Sequence, residues 1–391
     1  MADTRAARLR RLWLNVHLWI GVGLALLLIP ISISGGLLVW HDEVDALLTP
    51  QRYAVSGAQV AMPPSVYLAK AAEAVAADRA KLQPTGLRYP DQPGRPMQVM
   101  ARAPQSDGNS RPRFVTVFLD PPTAAVLDVM EFRASFIGFL HVFHENLTIP
   151  QYSGRQLVGW AGFGMLILSL TGIWLWWPRN GSLMRALCWT RSPRFTFNLH
   201  NMLGFWIALP LATVSLTGIY LSFPQTARST MSSIAPMSPQ GQRGGFAAEV
   251  AAQTELTADR ALQIALAAAP DATPATLFLP TVQRGGGNRG LAWRIQLTRA
   301  ASDEAITVMV DDRDGRATMA PAPQSGDRAA TWIRWIHEGS HSGTVWRTIV
   351  FLTGVFPTIF AVTGVIMWLR KRSSRKALKT KRETIQLRAA E

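Results

Sequence analysis

Four uncharged runs, each long enough to cross a bilayer, constrain this chain more than any other feature. Counting only Asp, Glu, Lys and Arg as charges, they are Leu12 to Trp40 (29 residues), Gln156 to Trp177 (22), Phe195 to Ala227 (33) and Thr348 to Leu369 (22). A helix rises about 1.5 Å per residue, so a hydrocarbon core of about 30 Å needs about 20 of them. Four transmembrane helices are therefore expected. The first run is too long for a signal peptide, lacks a small-residue cleavage site and keeps His17 near its start, so it reads as a retained span. With 48% hydrophobic and only 17% charged residues, the composition argues against a soluble enzyme. The single cysteine, Cys188, excludes an intramolecular disulfide, a CxxC metal knuckle and a CxxCH haem attachment, so any metal or haem must be held by other ligands.

Charge sets the expected orientation. Residues 1–11, 178–194 and 370–391 hold 17 basic and 3 acidic residues, which is +14 of the net +15. Lys and Arg concentrate in short cytoplasmic segments, so both termini and the central linker are expected inside, where the charge meets anionic lipid. The resulting plan is a cytoplasmic N-terminus and first span (1–40), an outer domain (41–135), an outer helix and second span (136–178), and a cytoplasmic linker (179–194). A third span (195–227), a second outer domain (228–330), an outer helix and fourth span (331–369) and a basic cytoplasmic tail (370–391) follow. A nucleic-acid partner is not expected, since the excess charge flanks the spans and has no aromatic-rich platform.

The two halves echo each other. His17, Gly21 and Gly35 recur at the same spacings as His200, Gly204 and Gly218. SLTGIWLWW around Gly172 echoes AVTGVIMWL around Gly364, and Arg155 and Arg347 each stand 17 residues before those glycines. The fold class expected is thus an α-helical integral membrane protein with four transmembrane helices, from a duplicated unit of helix, outer α+β domain and helix. In the first outer segment Ser65–Ala80 has helical periodicity, and Met97–Ala101 and Phe114–Leu119 are strand-like, ending in Asp120-Pro121-Pro122. In the second, Thr257–Ala269 reads as helix, with Trp293–Thr298 and Ala305–Val310 as strands before Asp311-Asp312-Arg313-Asp314-Gly315. Each segment is expected to form its own small domain, one helix on a short sheet. Ser229–Gly245 and Gly285–Gly290 read as flexible loops.

All seven histidines, His17, His41, His141, His144, His200, His337 and His341, fall inside or beside the spans. Ionisable groups at membrane depth are costly and mark function, and neutral imidazole is a common metal and haem ligand. A lone interfacial histidine is usually a hydrogen-bonding belt residue, and a small residue such as Gly21 usually serves helix packing; the repeated stripes argue for more. Gly21 and Gly204 lie one turn from His17 and His200, where a missing side chain lets a flat macrocycle approach. Gly35 and Gly218 return to the same face five turns on, about 27 Å away. One stripe thus offers a ligand for an inner haem and a smooth wall for an outer one. His144 and His337 precede spans 2 and 4 by nearly equal intervals. By depth, His17 pairs with His200 and His144 with His337, giving two six-coordinate haems stacked across the membrane. His41, His141 and His341 lack repeat-equivalent histidines and are secondary metal-ligand candidates, with proton handling, substrate contact or interface solvation as the plainer roles. Most of the fourteen tryptophans are belt residues, while Trp40, Trp332 and Trp335 lie where an electron exit would be lined.

The segments HLWIG (17–21), SGGLLVWHDEVDALLTP (34–50), HENL (144–147) with GRQLVGWAGFGMLILSLTGIWLWWP, HNMLG (200–204), HEGSHSG and the TGVIMWLRKR ending together resemble the PepSY-associated transmembrane family. The resemblance covers most of the chain, closely in the spans and more loosely in the outer, PepSY-like domains. It implies a multi-pass protein of the bacterial inner membrane with two periplasmic domains. It further implies a haem-dependent reductase that passes electrons through two haem b groups to a ferric siderophore or other Fe(III) chelate, releasing Fe(II). Lacking a GxGxxG fingerprint and a separate reductase domain, the chain needs quinol or another protein as electron donor. No acid, base or nucleophile is expected. Two alternatives belong to other classes: a non-catalytic PepSY scaffold that regulates an envelope enzyme, and an iron or copper permease. Spans without Asp, Glu, Lys or Arg disfavour the permease.

Overall fold

The computed structural model describes residues 5–78, 81–103, 113–178, 192–239, 249–251, 253–282, 291–299 and 305–388. Most of the expected linker (179–191), the Gly285–Gly290 loop and residues 240–245 of the Ser229–Gly245 loop lie outside them. The described residues fall into two compact units, 1–41 with 140–236 and 325–391, and 42–139 with 237–324.

The first unit is helical. Four helices are long and apolar enough to cross a membrane: α1 (Arg5–Val39), α5 (Gly154–Trp176), α6 (Phe195–Ser222) and α10 (Gly343–Arg388). Shorter helices α4 (Phe136–Asn146), α7 (Pro224–Ile234) and α9 (Ser325–Glu338) accompany them, and α2 (His41–Leu48) starts at the last residue of this unit's first segment and belongs otherwise to the second unit. Large apolar side chains on the spans point outward: Leu26 is 87% exposed, Leu209 71% and Trp206 64%. In water such a surface would be a severe liability, whereas against acyl chains it is the stable arrangement. Inside the bundle, Gly36 and Gly354 lie against each other. A Cβ on Gly354 would stand 2.6 Å from the Gly36 Cα, so small residues let α1 and α10 meet backbone to backbone.

Two expected boundaries change. The third uncharged run does not continue to Ala227, because Pro224 lacks the N–H that a continuing helix needs and disfavours helical geometry at Phe223. The chain breaks at Phe223 and restarts as α7, so residues 229–234 of the expected loop are helical. The fourth helix runs past Leu369 through the basic tail, where Lys and Arg are good helix formers.

The second unit holds α3 (Pro64–Val75), α8 (Ala258–Ala268) and strands β1 (Gln83–Arg88), β2 (Met97–Arg102), β3 (Phe114–Leu119), β4 (Val126–Glu131), β5 (Glu249–Val250), β6 (Ala272–Phe278), β7 (Thr281–Val282), β8 (Ala292–Arg299), β9 (Ala305–Asp311) and β10 (Ala317–Met319). The expectation of two separate short sheets is corrected here. Eight strands form one antiparallel sheet in the order β10-β9-β8-β6-β1-β2-β3-β4, joined at its centre by β1 and β6, where Leu87 faces Leu277. Both joining strands carry a proline and a shift of register, at Pro84/Gly86 and Pro274/Thr276. Proline and bulges interrupt alternation, which is why neither strand stands out in the sequence.

Alternation decides the core face. Met97, Val99 and Ala101 of β2 and Trp293, Ile295 and Leu297 of β8 point the same way, toward Tyr67 and Ala71 on α3 and Ala261 and Ala265 on α8. Helix α3 ends at Val75 rather than Ala80 because Val75 is its last core-facing residue and Ala76 and Ala77 are exposed. Thr257 caps α8 by accepting from the Arg260 N–H at 3.2 Å. Two buried carboxylates tie down the turns. Asp120 accepts from the Ser56 N–H and hydroxyl and from Thr123, and Asp312 from the Glu255 and Leu256 N–H groups and the Trp293 indole.

Candidate functional site: facing histidine pairs in the helical unit

Within the helical unit the structure brings His17 on α1 beside His200 on α6, with ring centres 6.4 Å apart and planes at 80°. It brings His144 on α4 beside His337 on α9, with centres 6.3 Å apart and planes at 41°. Each ring is anchored through Nδ1 to another helix. His17 Nδ1 lies 2.8 Å from Thr171 Oγ1 on α5, and His200 Nδ1 lies 2.9 Å from Thr363 Oγ1 on α10. His144 Nδ1 lies 3.0 Å from the Ile31 carbonyl oxygen on α1, with Ser34 Oγ at 3.3 Å. His337 Nδ1 lies 3.0 Å from the Val214 carbonyl oxygen on α6, with Thr217 Oγ1 at 3.1 Å.

These contacts assign the tautomers. A carbonyl oxygen only accepts, so His144 and His337 carry the proton on Nδ1. A threonine hydroxyl has one proton to give, and Thr171 and Thr363 give theirs to the Ile167 and Ile359 carbonyls one turn back, at 2.6 and 2.7 Å. Both hydroxyls are left to accept from His17 and His200. All four neutral rings therefore carry their lone pair on Nε2, the form in which imidazole binds a metal, and an acceptor on Nδ1 both fixes the ring and raises the basicity of Nε2. Helices α4 and α9 lie outside the four spans. Burial pushes His144 and His337 below the usual imidazole pKa, with a smaller downward effect from His141 on the same helix at His144 and from His144 at His337. Both rings stay neutral at neutral pH.

The spacing tests whether a haem suits these residues. Two imidazoles bound through Nε2 to one iron, with metal–nitrogen bonds of about 2.0 Å, have ring centres a little over about 6 Å apart. A direct hydrogen bond between two such rings would draw the centres to about 5 Å. The two observed separations match the first case, and the donor set fits a bis-histidine haem. The levels are also distinct. Ile31, which anchors His144, is fourteen residues after His17 on one helix, or about 21 Å along its axis.

The four glycines divide into two kinds. A Cβ on Gly204 would meet nothing within 4 Å and one on Gly21 only Leu168 at 3.7 Å, so the helix face one turn from His17 and His200 is open. Gly35 and Gly218 have a role that differs from the smooth wall expected of them. A Cβ there would stand 2.7 Å from His144 Cε1 and 2.9 Å from His337 Cε1, so these glycines make room for the imidazoles themselves.

The remaining histidines separate. His41 faces His141 with ring centres 6.1 Å apart, whereas His341 stacks on Trp335 at 4.2 Å and 15°. Of the tryptophans expected near an exit, Trp332 packs on Trp335 and Trp40 lies under the Arg347 guanidinium at 4.0 Å. Arg347 also donates to the Val39 carbonyl at 3.0 Å, which ties the end of α1 to α10. The sequence reading passes over Thr171, Thr363, Ser34 and Thr217. Their signal is positional, since each immediately precedes one of the glycines Gly172, Gly364, Gly35 and Gly218.

No curated protein matches the chain. The family model described as the PepSY-associated TM region matches residues 14–371, well over half of its length. With four apolar helices of spanning length and that match, this is a membrane protein, and the chain belongs to the PepSY-associated transmembrane family.

Proposed function

We propose that this protein is a haem-dependent oxidoreductase of the bacterial inner membrane that moves electrons across it to a periplasmic ferric chelate, such as a ferric siderophore, with Fe(II) as product. One observation carries the reading: two facing imidazole pairs at separate levels, four rings with Nδ1 committed to another helix and the lone pair on Nε2. His17 and His200 would hold one haem b, and His144 and His337 a second. Iron held this way takes up and returns one electron at a time without exchanging ligands, which is the chemistry the group supplies when bound.

The chain's own part is positional. Thr171, Thr363 and the Ile31 and Val214 carbonyls orient the rings, Gly35 and Gly218 give the imidazoles room, and the uncharged spans keep water and counter-ions away. The substrate Fe(III) gains one electron to become Fe(II), and a quinol or a reduced protein loses it. Fe(II) sits less tightly in hard oxygen chelators, so reduction is also release. The Lys and Arg bias supports cytoplasmic termini and linker, with segments 41–135 and 228–330 periplasmic. Duplication has structural support in the anchors, since a single shift in register carries His17, Ile31, Ser34 and Gly35 onto His200, Val214, Thr217 and Gly218.

The test is the absorption spectrum of protein purified from haem-replete cells. A Soret band that shifts and sharpens on dithionite is expected, together with loss of one of two haems in His17→Ala and of the other in His144→Ala. A colourless preparation rejects the reading and leaves a membrane scaffold whose histidines serve packing.

A further inference from the structure

Six of the seven histidines stand in facing pairs, and the redox reading absorbs only two of the three pairs. The third is His41 with His141, whose ring centres are 6.1 Å apart and whose planes meet at 79°. His41 heads α2, and its Nδ1 lies 3.0 Å from the Leu38 carbonyl oxygen. By the same reasoning as for His144, the proton is on Nδ1 and the lone pair of the neutral ring on Nε2. His141 lies on α4 three residues before His144, a spacing that puts two side chains on one helix face about 5–6 Å apart at Cβ. The third pair therefore stands one helical turn from the second.

Its surroundings are of another kind. His41 is exposed and His141 half-buried. Among the described residues no group of three or more His, Cys, Asp or Glu side chains converges to hold a metal ion, so this pair offers two imidazoles and leaves further coordination positions to water or an incoming ligand.

We propose that His41 and His141 form a solvent-facing, two-imidazole site for a divalent first-row transition-metal ion. The separation is close to that of two imidazoles on opposite sides of one metal centre, as square-planar and octahedral sites allow. Imidazole suits Fe(II), Ni(II), Cu(II) and Zn(II) and is a poor match for Mg(II) or Ca(II), which take oxygen ligands. An exposed and incomplete ligand set exchanges its ion instead of storing it. Metal binding stands on the pair's own geometry, whereas Fe(II) as the natural occupant rests on the redox reading above.

The experiment uses the full-length protein purified without a polyhistidine tag, titrated with Cu(II) and followed by electron paramagnetic resonance. The expected result is one bound Cu(II) per chain with hyperfine coupling to two nitrogens. That signal is lost in His41→Ala and in His141→Ala and is kept in His341→Ala. His41 is exposed, so His41→Gln supplies a second variant should His141→Ala fail to fold. Haem content measured on the same samples reports on the other two pairs. A colourless protein that still binds Cu(II) through two nitrogens refutes the redox reading and leaves this site standing. Wild-type protein without the two-nitrogen signal, or the same signal in the His41 variants, overturns the proposal.

Discussion

Replacing Gly35 by alanine puts a methyl carbon 2.7 Å from Cε1 of His144, 3.2 Å from Nδ1 and 3.4 Å from Nε2. Ordinary carbon–carbon contact is about 3.5–4.0 Å, so the imidazole must retreat by about 1 Å. The bond from Nδ1 to the Ile31 carbonyl, now 3.0 Å, lies on that same helix and stretches toward the limit of a hydrogen bond as the ring withdraws. Overpacking of this sort costs about 1–3 kcal/mol. At 1.4 kcal/mol per factor of ten, that weakens whatever the His144–His337 pair holds by about 5- to 150-fold. Gly204→Ala is the control. It gains the same helix propensity, about 1 kcal/mol in water, but its Cβ meets nothing within 4 Å. The assay is haem per chain by pyridine haemochrome, with haem loss to an excess of apomyoglobin giving the rate. Gly35→Ala should lose the haem of the His144–His337 level and keep the other, while Gly204→Ala keeps both. Full, slowly released haem in Gly35→Ala, or equal losses in the two variants, would refute the argument that this glycine exists to seat the imidazole.

Thr171→Val and Thr363→Val keep the side-chain shape but remove the acceptor for His17 and His200 Nδ1; haem affinity at that level should fall about 10–100-fold, with Ser restoring it. Unchanged release rates in the Val variants would show that the threonines only fill space. Gly354→Ala drives a methyl to 2.6 Å from the Gly36 Cα and 2.7 Å from the Ser32 carbonyl oxygen, backbone atoms that cannot rotate away. A loss of about 1–3 kcal/mol is expected by thermal unfolding in detergent, against no loss for Gly23→Ala, which meets nothing within 4 Å. Burial alone would push the Asp120 carboxyl up, but hydrogen bonds from Ser56 and Thr123 together outweigh it and hold the group below the usual carboxylate range. Its stabilising contribution is therefore complete above about pH 3.9, the unfolded value, and is lost as pH falls through the lower folded value. Asp120→Asn should flatten that acid limb in a pH series of unfolding temperatures, and parallel curves for the two proteins would count against it.

The spans were legible from one end of the chain to the other, because hydrocarbon demands unbroken apolar length and no tertiary contact can substitute for it. The histidine and glycine spacings were legible too, since residues a whole number of turns apart share a helix face whatever lies opposite. Core strands β2, β3, β8 and β9 showed their alternation, as each buries one face fully and the other only in part, except at the end of β3, where Val117, Phe118 and Leu119 are all buried. Even the chain break at Phe223 had a local cause in Pro224. All of these are properties of one segment in one solvent.

What only the tertiary structure decided was which segments meet. The centre of the sheet is the pairing of β1 with β6, two strands far apart in sequence whose prolines and register shifts hide their pattern. That pairing merges two expected domains into one sheet. Partner choice among the seven imidazoles, the anchoring of Nδ1 of His17, His200, His144 and His337 on another helix and the use of Gly35 to receive His144 all depend on how helices rotate and slide against each other. Periodicity says which face a residue occupies and leaves the facing helix open. Close packing of the assembled bundle selects that partner, because approaches too close for even one added methyl, such as those at Gly35 and Gly354, admit one register and exclude the next.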